Sequence, residues 1–496
     1  MTRIAILTIL SFIVLCPIKA QTLTEREEIS GTFGGGEYTP FWHMSNRQGL
    51  SSDENWSVYT RNSIAGSHTF SKKGIGLEWE FDFAVGMNLT SRILVQQAYM
   101  DLNWKMFKLS IGQKERWQGV VNHRLTSGSL TESGNARPVP QIRFELPQYW
   151  DIPGTGGWIG IKGHIAYGMF TDGSWQKDFA ADDTRYVKNA LYHSKAGFIR
   201  IGNGKKLPLT AEFGLHMVAQ FGGKCYNFGN EPGKNYKNPT RLKDLWTAFI
   251  PSKGDDSYHG MDQANIVGNM LGSWMAAITW EEKKWNTRLY YEHTFDDHSQ
   301  MFMEYGLWTE QLIGIEIGLK DFKWIKGIAI EYFNLKNHSG PIYHDSTDKI
   351  PDQVSCRDSN YNHSWYGGWF NYGQIMGTPL CSSPIYNRDN KLTCYNNRVE
   401  AFHMGVEGSP LDWLDYRILL TRSNNWGTYN DPFKDIKQNI SGMLEITVKP
   451  GSLKNWSVTA SFAFDNGDLY NNNYGCMLSI KRYGVFNLNR TQKTTK

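Results

Sequence analysis

The sequence predicts an all-β fold: an antiparallel transmembrane outer-membrane β-barrel of about 18 strands with long extracellular loops or a plug. Three observations predict it. Apolar and polar residues alternate with period two over runs of about 9–13 residues, the length of a tilted membrane-crossing strand and longer than the usual ~5–6. Acidic side chains sit mid-strand on the polar face, where the dry core of a soluble sandwich would not accept them. A secretory leader opens the chain, and no later apolar run is long enough for a membrane helix.

In order along the chain, Arg3 supplies a positive start, Ile4 to Leu15 an apolar stretch, and Ile18 and Ala20 the small-residue pattern of a cleavage site before Gln21. Residues 1–20 are therefore expected to be a signal peptide. Leu15 before Cys16 does not fit a lipidation signal. Residues 21–70 are expected to form a periplasmic segment leading into the barrel, 71–486 the barrel, and 487–496 a polar tail.

Leu77, Trp79, Phe81, Phe83 and Val85 share one strand face, and Glu78, Glu80 and Asp82 share the other. The next pair is a hairpin, from Leu94 to Trp104 and back through Phe107, Leu109 and Ile111. Ile159, Ile161, Ile165 and Tyr167 oppose Lys162 and His164. Ile440, Leu444, Ile446 and Val448 oppose Asn439, Ser441, Glu445 and Thr447. Trp456, Val458, Ala460, Phe462 and Phe464 oppose Ser457, Thr459, Ser461 and Asp465, and a turn at Asn466 and Gly467 is expected to lead to the last strand, Met477 to Phe486. Trp158, Trp280, Trp285, Trp324 and Phe486 fall at strand ends, where an interfacial girdle belongs. The polar stretches 226–244 and 343–398 read as extracellular loops or inward-folded plugs.

Composition removes other classes. The chain has 496 residues, 14% of them aromatic, with a hydrophobic share of 40%. That is too polar for a helical membrane protein and too aromatic for a disordered one. Without Arg3 and Lys19 the chain carries 50 basic and 48 acidic residues, a balance of +2 that gives nucleic acid no purchase. The mature chain holds five cysteines, Cys225, Cys356, Cys381, Cys394 and Cys476. An odd number leaves at least one thiol without an intramolecular partner. Cys356, Cys381 and Cys394 share one loop and could staple it, and the absence of a C-x-x-C spacing speaks against zinc.

Motifs for catalysis are absent: no nucleophile elbow, no zinc-protease helix, no phosphate loop. His123, His164, His193, His216 and His293 are scattered, and read as hydrogen-bonding residues of a polar lumen. Glu78, Glu80, Asp82, Lys162 and His164 are expected to line that lumen. The stretch from Asn360 to Tyr372 interleaves Trp365, Tyr366, Trp369 and Tyr372 with Asn362, His363 and Asn371. Flat rings beside amide groups suit carbohydrate, so Trp365, Tyr366, Trp369, Asn371 and Tyr372 are the candidate polysaccharide-binding residues. No catalytic residue, metal or cofactor is expected.

Several short motifs together carry a resemblance. They are Tyr38 with Pro40, Phe41 and Trp42; Arg137, Pro140 and Arg143, then Asp151 and Pro153; and Trp158, Gly160, Lys162, Gly163 and His164. Further along come Glu212 to His216, Phe221 to Gly223, Gly268 and Asn269, Gly272 to Trp274, Tyr290 to His293 with Phe295 to Asp297, and Gly377 to Leu380. In this order, across most of residues 30 to 485, the chain resembles the Wzi-type capsule assembly family of outer-membrane proteins in its Bacteroides-like form. It departs from that pattern at the C-terminus, where a largely polar stretch of ten residues follows Phe486. The resemblance implies a lectin-like barrel of about eighteen strands that binds capsular or other surface polysaccharide and helps attach or assemble it, without catalysis. Its other expected partners are outer-membrane lipid and the barrel assembly machinery, and it is expected to be a monomer. The rival reading is a substrate-selective porin, since a charged lumen also suits diffusion of a polar solute.

Overall fold

The computed structural model describes residues 22–70, 74–252, 254–258, 266–296, 301–303, 306–338 and 359–487. The leader, Cys356 and the tail after 487 lie outside the described residues. Eighteen antiparallel strands run in chain order. They are β1 (Thr22–Gly35), β2 (Trp56–Phe70), β3 (Ile75–Met87), β4 (Ile93–Trp104), β5 (Phe107–Gln113), β6 (Gln141–Asp151), β7 (Ile159–Met169), β8 (Leu191–Ile201) and β9 (Leu209–Phe221). The others are β10 (Asn269–Glu281), β11 (Trp285–Asp296), β12 (Gln311–Leu319), β13 (Gly327–Asn334), β14 (Val399–Leu411), β15 (Leu414–Gly427), β16 (Pro432–Val448), β17 (Trp456–Gly467) and β18 (Asn473–Asn487). Each pairs with its neighbours in sequence, and β1 pairs with β18 as well as β2, so the sheet has no edge. Of the segment expected ahead of the barrel, 21–70, residues 22–35 and 56–70 are thus wall strands. They complete the ring as β1 and β2, and their alternation was blurred by the run Glu25 to Glu28, which puts charge on both faces of β1, and by glycines and serines in both strands.

The two ends of the barrel differ. Turns after even-numbered strands are short, such as 105–106 between β4 and β5 and 412–413 between β14 and β15. Connections after odd-numbered strands are mostly long, including 36–55, 114–140, 170–190, 222–268 and 335–398. In outer-membrane barrels short turns face the periplasm and long loops the exterior. The expected turn at Asn466 and Gly467 is displaced. Both residues still pair, with Ile440 and Asn439, and the chain reverses over 468–472, where Asn471 takes a positive φ.

Outward parity is apolar all around the wall. Ile64, Val85, Ile111, Phe144, Ile165, Phe213, Ile278, Ile330, Phe462 and Leu478 are exposed there, as lipid-facing side chains must be. Trp104, Trp158, Trp280, Trp285, Trp324, Trp413 and Trp456 are also exposed, and all lie at the short-turn end. They form the inner aromatic girdle that the sequence indicated without revealing its side.

Inward parity is polar. Asp82 is fully buried and accepts from Arg61 at 2.6 and 3.0 Å and from Arg26. Arg26 also lies 3.9 Å from Glu80, and Lys108 lies 3.8 Å from Glu78. Lys162 faces Glu212 and the rings of Tyr149 and Phe198. Parity also corrects one expectation: His193 and His293 point outward. Extracellular segments cover both. Phe249 of the helix Leu242–Phe249 packs against His193, while Leu245 O accepts from Tyr167 and Phe249 O from Lys195. His293 Nδ1 lies 3.1 Å from Thr309 O.

Candidate functional site

The lumen is filled towards the long-loop end by three connections packed on one another. The first, after β1, carries the one-turn helix α1 (Phe41–Met44), buried throughout. The second is 114–140, and the third is 359–398, whose two tiny hairpins pair Asn362–His363 with Gly367–Gly368 and Phe370–Asn371 with Gln374–Ile375. Together they bury Phe41, Trp42, Leu125, Leu130, Trp365, Tyr366, Trp369 and Ile375 in one cluster.

The proposed sugar-binding rings belong to this cluster. Trp365, Tyr366 and Trp369 are 3%, 2% and 0% exposed, so none presents a free ring face. Trp369 stacks on Tyr192 at 6.1 Å and donates to Thr131 O at 2.8 Å. Asn371 donates to Arg137 O at 2.8 Å, and the Arg137 guanidinium covers the half-buried Tyr372 ring at 3.6 Å. Of the two expectations for 343–398, loop or inward-folded plug, the described part is a plug, because a closed barrel offers these rings a dry interior. Cys381 and Cys394 lie in the same core as free thiols, so those two do not pair with one another. Burial pushes the Cys394 thiol up to about 12.

An irregular segment inside a barrel must find partners for its backbone. The wall supplies them as carboxylates. Glu331 of β13 accepts from Thr126 Oγ1 (2.5 Å), Ser127 N (2.7 Å), Ser127 Oγ (2.6 Å) and Tyr290 OH (2.6 Å). Glu292 of β11 accepts from Ser129 Oγ (2.8 Å) and Leu130 N (3.0 Å). Asp465 of β17 accepts from Phe41 N (3.0 Å). Gly405 of β14 lets the plug approach: a Cβ there would stand 2.5 Å from Leu125 O. The hydroxyl run Thr126 to Thr131 and its acceptor Glu331 were not singled out by sequence reasoning, and Glu292 and Ser273 entered only within the motifs of the family resemblance. An irregular stretch has no period, and only its Ser and Thr content hinted at hydrogen bonding.

One cluster resembles a hydrolase site in composition only. Ser194 Oγ lies 3.1 Å from His216 Nε2 and 2.9 Å from His164 Nε2, and Glu132 Oε2 lies 3.1 Å from the same His216 Nε2. A triad needs the acid on the other ring nitrogen, and His216 Nδ1 has no partner among the described residues. Ser194 is also fully buried. Burial raises the Glu132 carboxyl, but the hydrogen bonds and charge of His216, with the Tyr192 hydroxyl, bring it below the usual glutamate value. The cluster ties 114–140 to β8 and β9. No group of three or more His, Cys, Asp or Glu among the described residues could hold a metal.

Below the plug a polar vestibule of about 760 Å³ faces the short-turn end. Its walls include Glu28, Arg47, Arg61, Glu115, Arg417 and Glu445. Most of its charges are paired, as in Arg61–Glu115 (2.7 Å) and Arg417–Glu445 (3.0 Å).

This architecture has known counterparts. Among solved structures, the chain is similar to Wzi of Escherichia coli, described as an outer-membrane protein involved in group 1 capsule assembly and a carbohydrate-binding β-barrel. The TM-score is 0.54 at 14% identity, covering 95% of this chain and 86% of that one. OpdQ of Pseudomonas aeruginosa follows at TM-score 0.46, 9% identity and 94% and 97% coverage. OccAB4 of Acinetobacter baumannii gives 0.45, 9%, 95% and 100%. No protein-family model and no curated protein matches the sequence. What the chain shares with Wzi is the fold. A closed 18-stranded barrel with an apolar outer belt is a bacterial outer-membrane protein.

Proposed function

We propose that the protein retains surface polysaccharide at the outer membrane, as a capsule-assembly barrel of the Wzi type, and acts by binding rather than catalysis. The observation that carries this reading is the plug. Its core packs into the outer half of the lumen, and wall carboxylates accept its backbone amides and hydroxyls on several sides. A barrel so filled suits the display of a rigid outer face better than the passage of solute. In this reading Trp365, Tyr366, Trp369 and Asn371 serve binding from below, by fixing the loops that meet the polymer, and Tyr372 with Arg137 borders them.

The test is deletion of the gene followed by measurement of cell-attached and shed polysaccharide. The reading expects polymer to move from the cell surface to the medium. Unchanged retention overturns it. One observation favours a second reading, a selective porin: the charged vestibule of about 760 Å³ resembles one half of a diffusion path. Discrete conductance steps in a planar bilayer distinguish that reading.

A further inference from the structure

Two extracellular connections join above the plug in a small three-stranded sheet: Tyr186–Lys188 and Lys224–Tyr226 pair antiparallel, and Tyr236–Lys237 adds an edge. The register sets Lys188 opposite Lys224 and Lys224 opposite Lys237. Directly paired residues project from the same face, so three lysine side chains leave one face from strands spaced roughly 4.8 Å apart. Val187 and Cys225, one residue along, point the other way and are buried in the plug cluster. The lysine face is therefore the outer one.

Two tyrosines share that face. Tyr186 and Tyr226 are stacked at 4.8 Å with an interplanar angle of 3°. Lys224 Nζ lies 4.4 Å from the Tyr226 ring centre, and Lys188 Nζ is 5.7 and 5.9 Å from the two rings. Carboxylates along the same connection are engaged elsewhere: Glu231 with Lys234 (2.9 Å), Asp244 with Arg241 (3.0 Å), and Asp255 with Lys243. Like charges directly opposite in a sheet weaken it. The tyrosine rings offset part of that repulsion for Lys188 and Lys224, and an anionic ligand spanning the three lysines would offset the rest.

We propose that this row is the docking site for an acidic stretch of surface polysaccharide. The ammonium groups would meet sugar carboxylates, and the tyrosine rings would pack against sugar faces. The inference rests on the retention function above and deepens it by naming the polymer class. Beneath the sheet, Trp365 lies 6.0 Å from Tyr236 and 5.5 Å from Phe228, which is how a buried plug ring supports the outer face.

The experiment uses the full barrel in detergent, with sodium polygalacturonate as acidic probe and dextran as neutral probe. Binding is compared in about 10 mM salt, where the Debye length is about 30 Å, and in about 1 M salt, where it is about 3 Å. The expected result is preference for polygalacturonate at low salt only. The K188Q/K224Q/K237Q variant should lose about tenfold or more of that affinity, a modest share from each solvent-screened charge, with dextran binding unchanged. K205Q/K206Q, in the turn after β8 at the opposite end, controls for net charge and should leave the preference intact. Heat-modifiable migration checks that each variant folds, and the three single lysine variants replace the triple one if it does not. Preference retained by the lysine variants overturns the proposal, as does a wild-type barrel that treats both polymers alike. If the barrel shows no acidic preference but the deletion strain sheds polymer, only this inference falls. If the preference and its loss are seen but the strain keeps its polymer, the lysine site stands and the retention function falls.

Discussion

Wall and plug use the same aromatic side chains to opposite ends. On the wall, Trp104, Trp158, Trp280, Trp285, Trp324, Trp413 and Trp456 stand exposed in a belt at the short-turn rim. In the plug, Trp42, Trp365 and Trp369 are buried. The wall turns its apolar side out because its solvent is lipid, and each backbone group is already paired to a neighbouring strand. The plug has no ladder, so it borrows acceptors from the wall's inner face and surrounds them with a dry aromatic core. Position in a barrel, and not residue type, decides whether a tryptophan is an anchor or a core.

That contrast can be broken from either side. The largest effect expected is from Trp369→Ala, which removes the most enclosed ring of the plug and should cost about 3–5 kcal/mol of local stability. Hydrogen exchange should accelerate across 124–133 and 359–398 and leave the wall protected. Polymer binding should fall only in step with that loss; a fall with plug protection unchanged means the ring touches sugar directly. Phe462→Arg tests the wall instead. It places a charge on the lipid face of β17 and should cost about 2–4 kcal/mol near the bilayer midplane, read as a shifted denaturant midpoint in liposomes with plug contacts intact. Ser129→Ala removes one hydroxyl from Glu292 and should cost about 1–2 kcal/mol, seen as faster exchange at Leu130.

The smallest effect is a pH dependence. Burial holds the Asp172 carboxyl up at about 6 against an ordinary 3.8, with Gln176, the Tyr372 amide and Arg137 facing it. The folded state therefore takes up a proton more readily than the unfolded chain. Its stabilisation is complete below about 3.8 and is lost as pH rises through about 6. Exchange at the Tyr372 amide, corrected for intrinsic rate, should be slower at pH 5 than at pH 7, and Asp172→Asn should flatten the difference.

Much of the wall was legible because parity is a one-bit code that each strand repeats. Leu77 to Val85 and Trp456 to Phe464 face out, and Glu78, Glu80, Asp82, Lys162 and His164 face in, as the alternation implies. The same code was misjudged at His193 and His293, where an extracellular cover lets a polar residue sit on the outer face. The plug was legible only as one of two alternatives for 343–398, and 114–140 carried no sign of it. Trp365 and Trp369 read alike as loop platform or as core, and only closure of the ring around them settles their burial. Several motifs behind the family resemblance fall where wall meets plug: Phe41, His216, Ser273, Glu292 and Gly377 each hold a plug segment or belong to one, whereas Asp151, Pro153 and Trp158 lie at the short-turn end. Those dispersed motifs were in part a trace of one interface, which no single stretch could reveal.

The central claim is that the plug closes the barrel, and planar-bilayer recording tests it most directly. Purified protein inserted into the membrane should give little or no steady conductance, and Trp369→Ala should give frequent openings. Regular, discrete conductance steps from the unaltered protein would contradict the account.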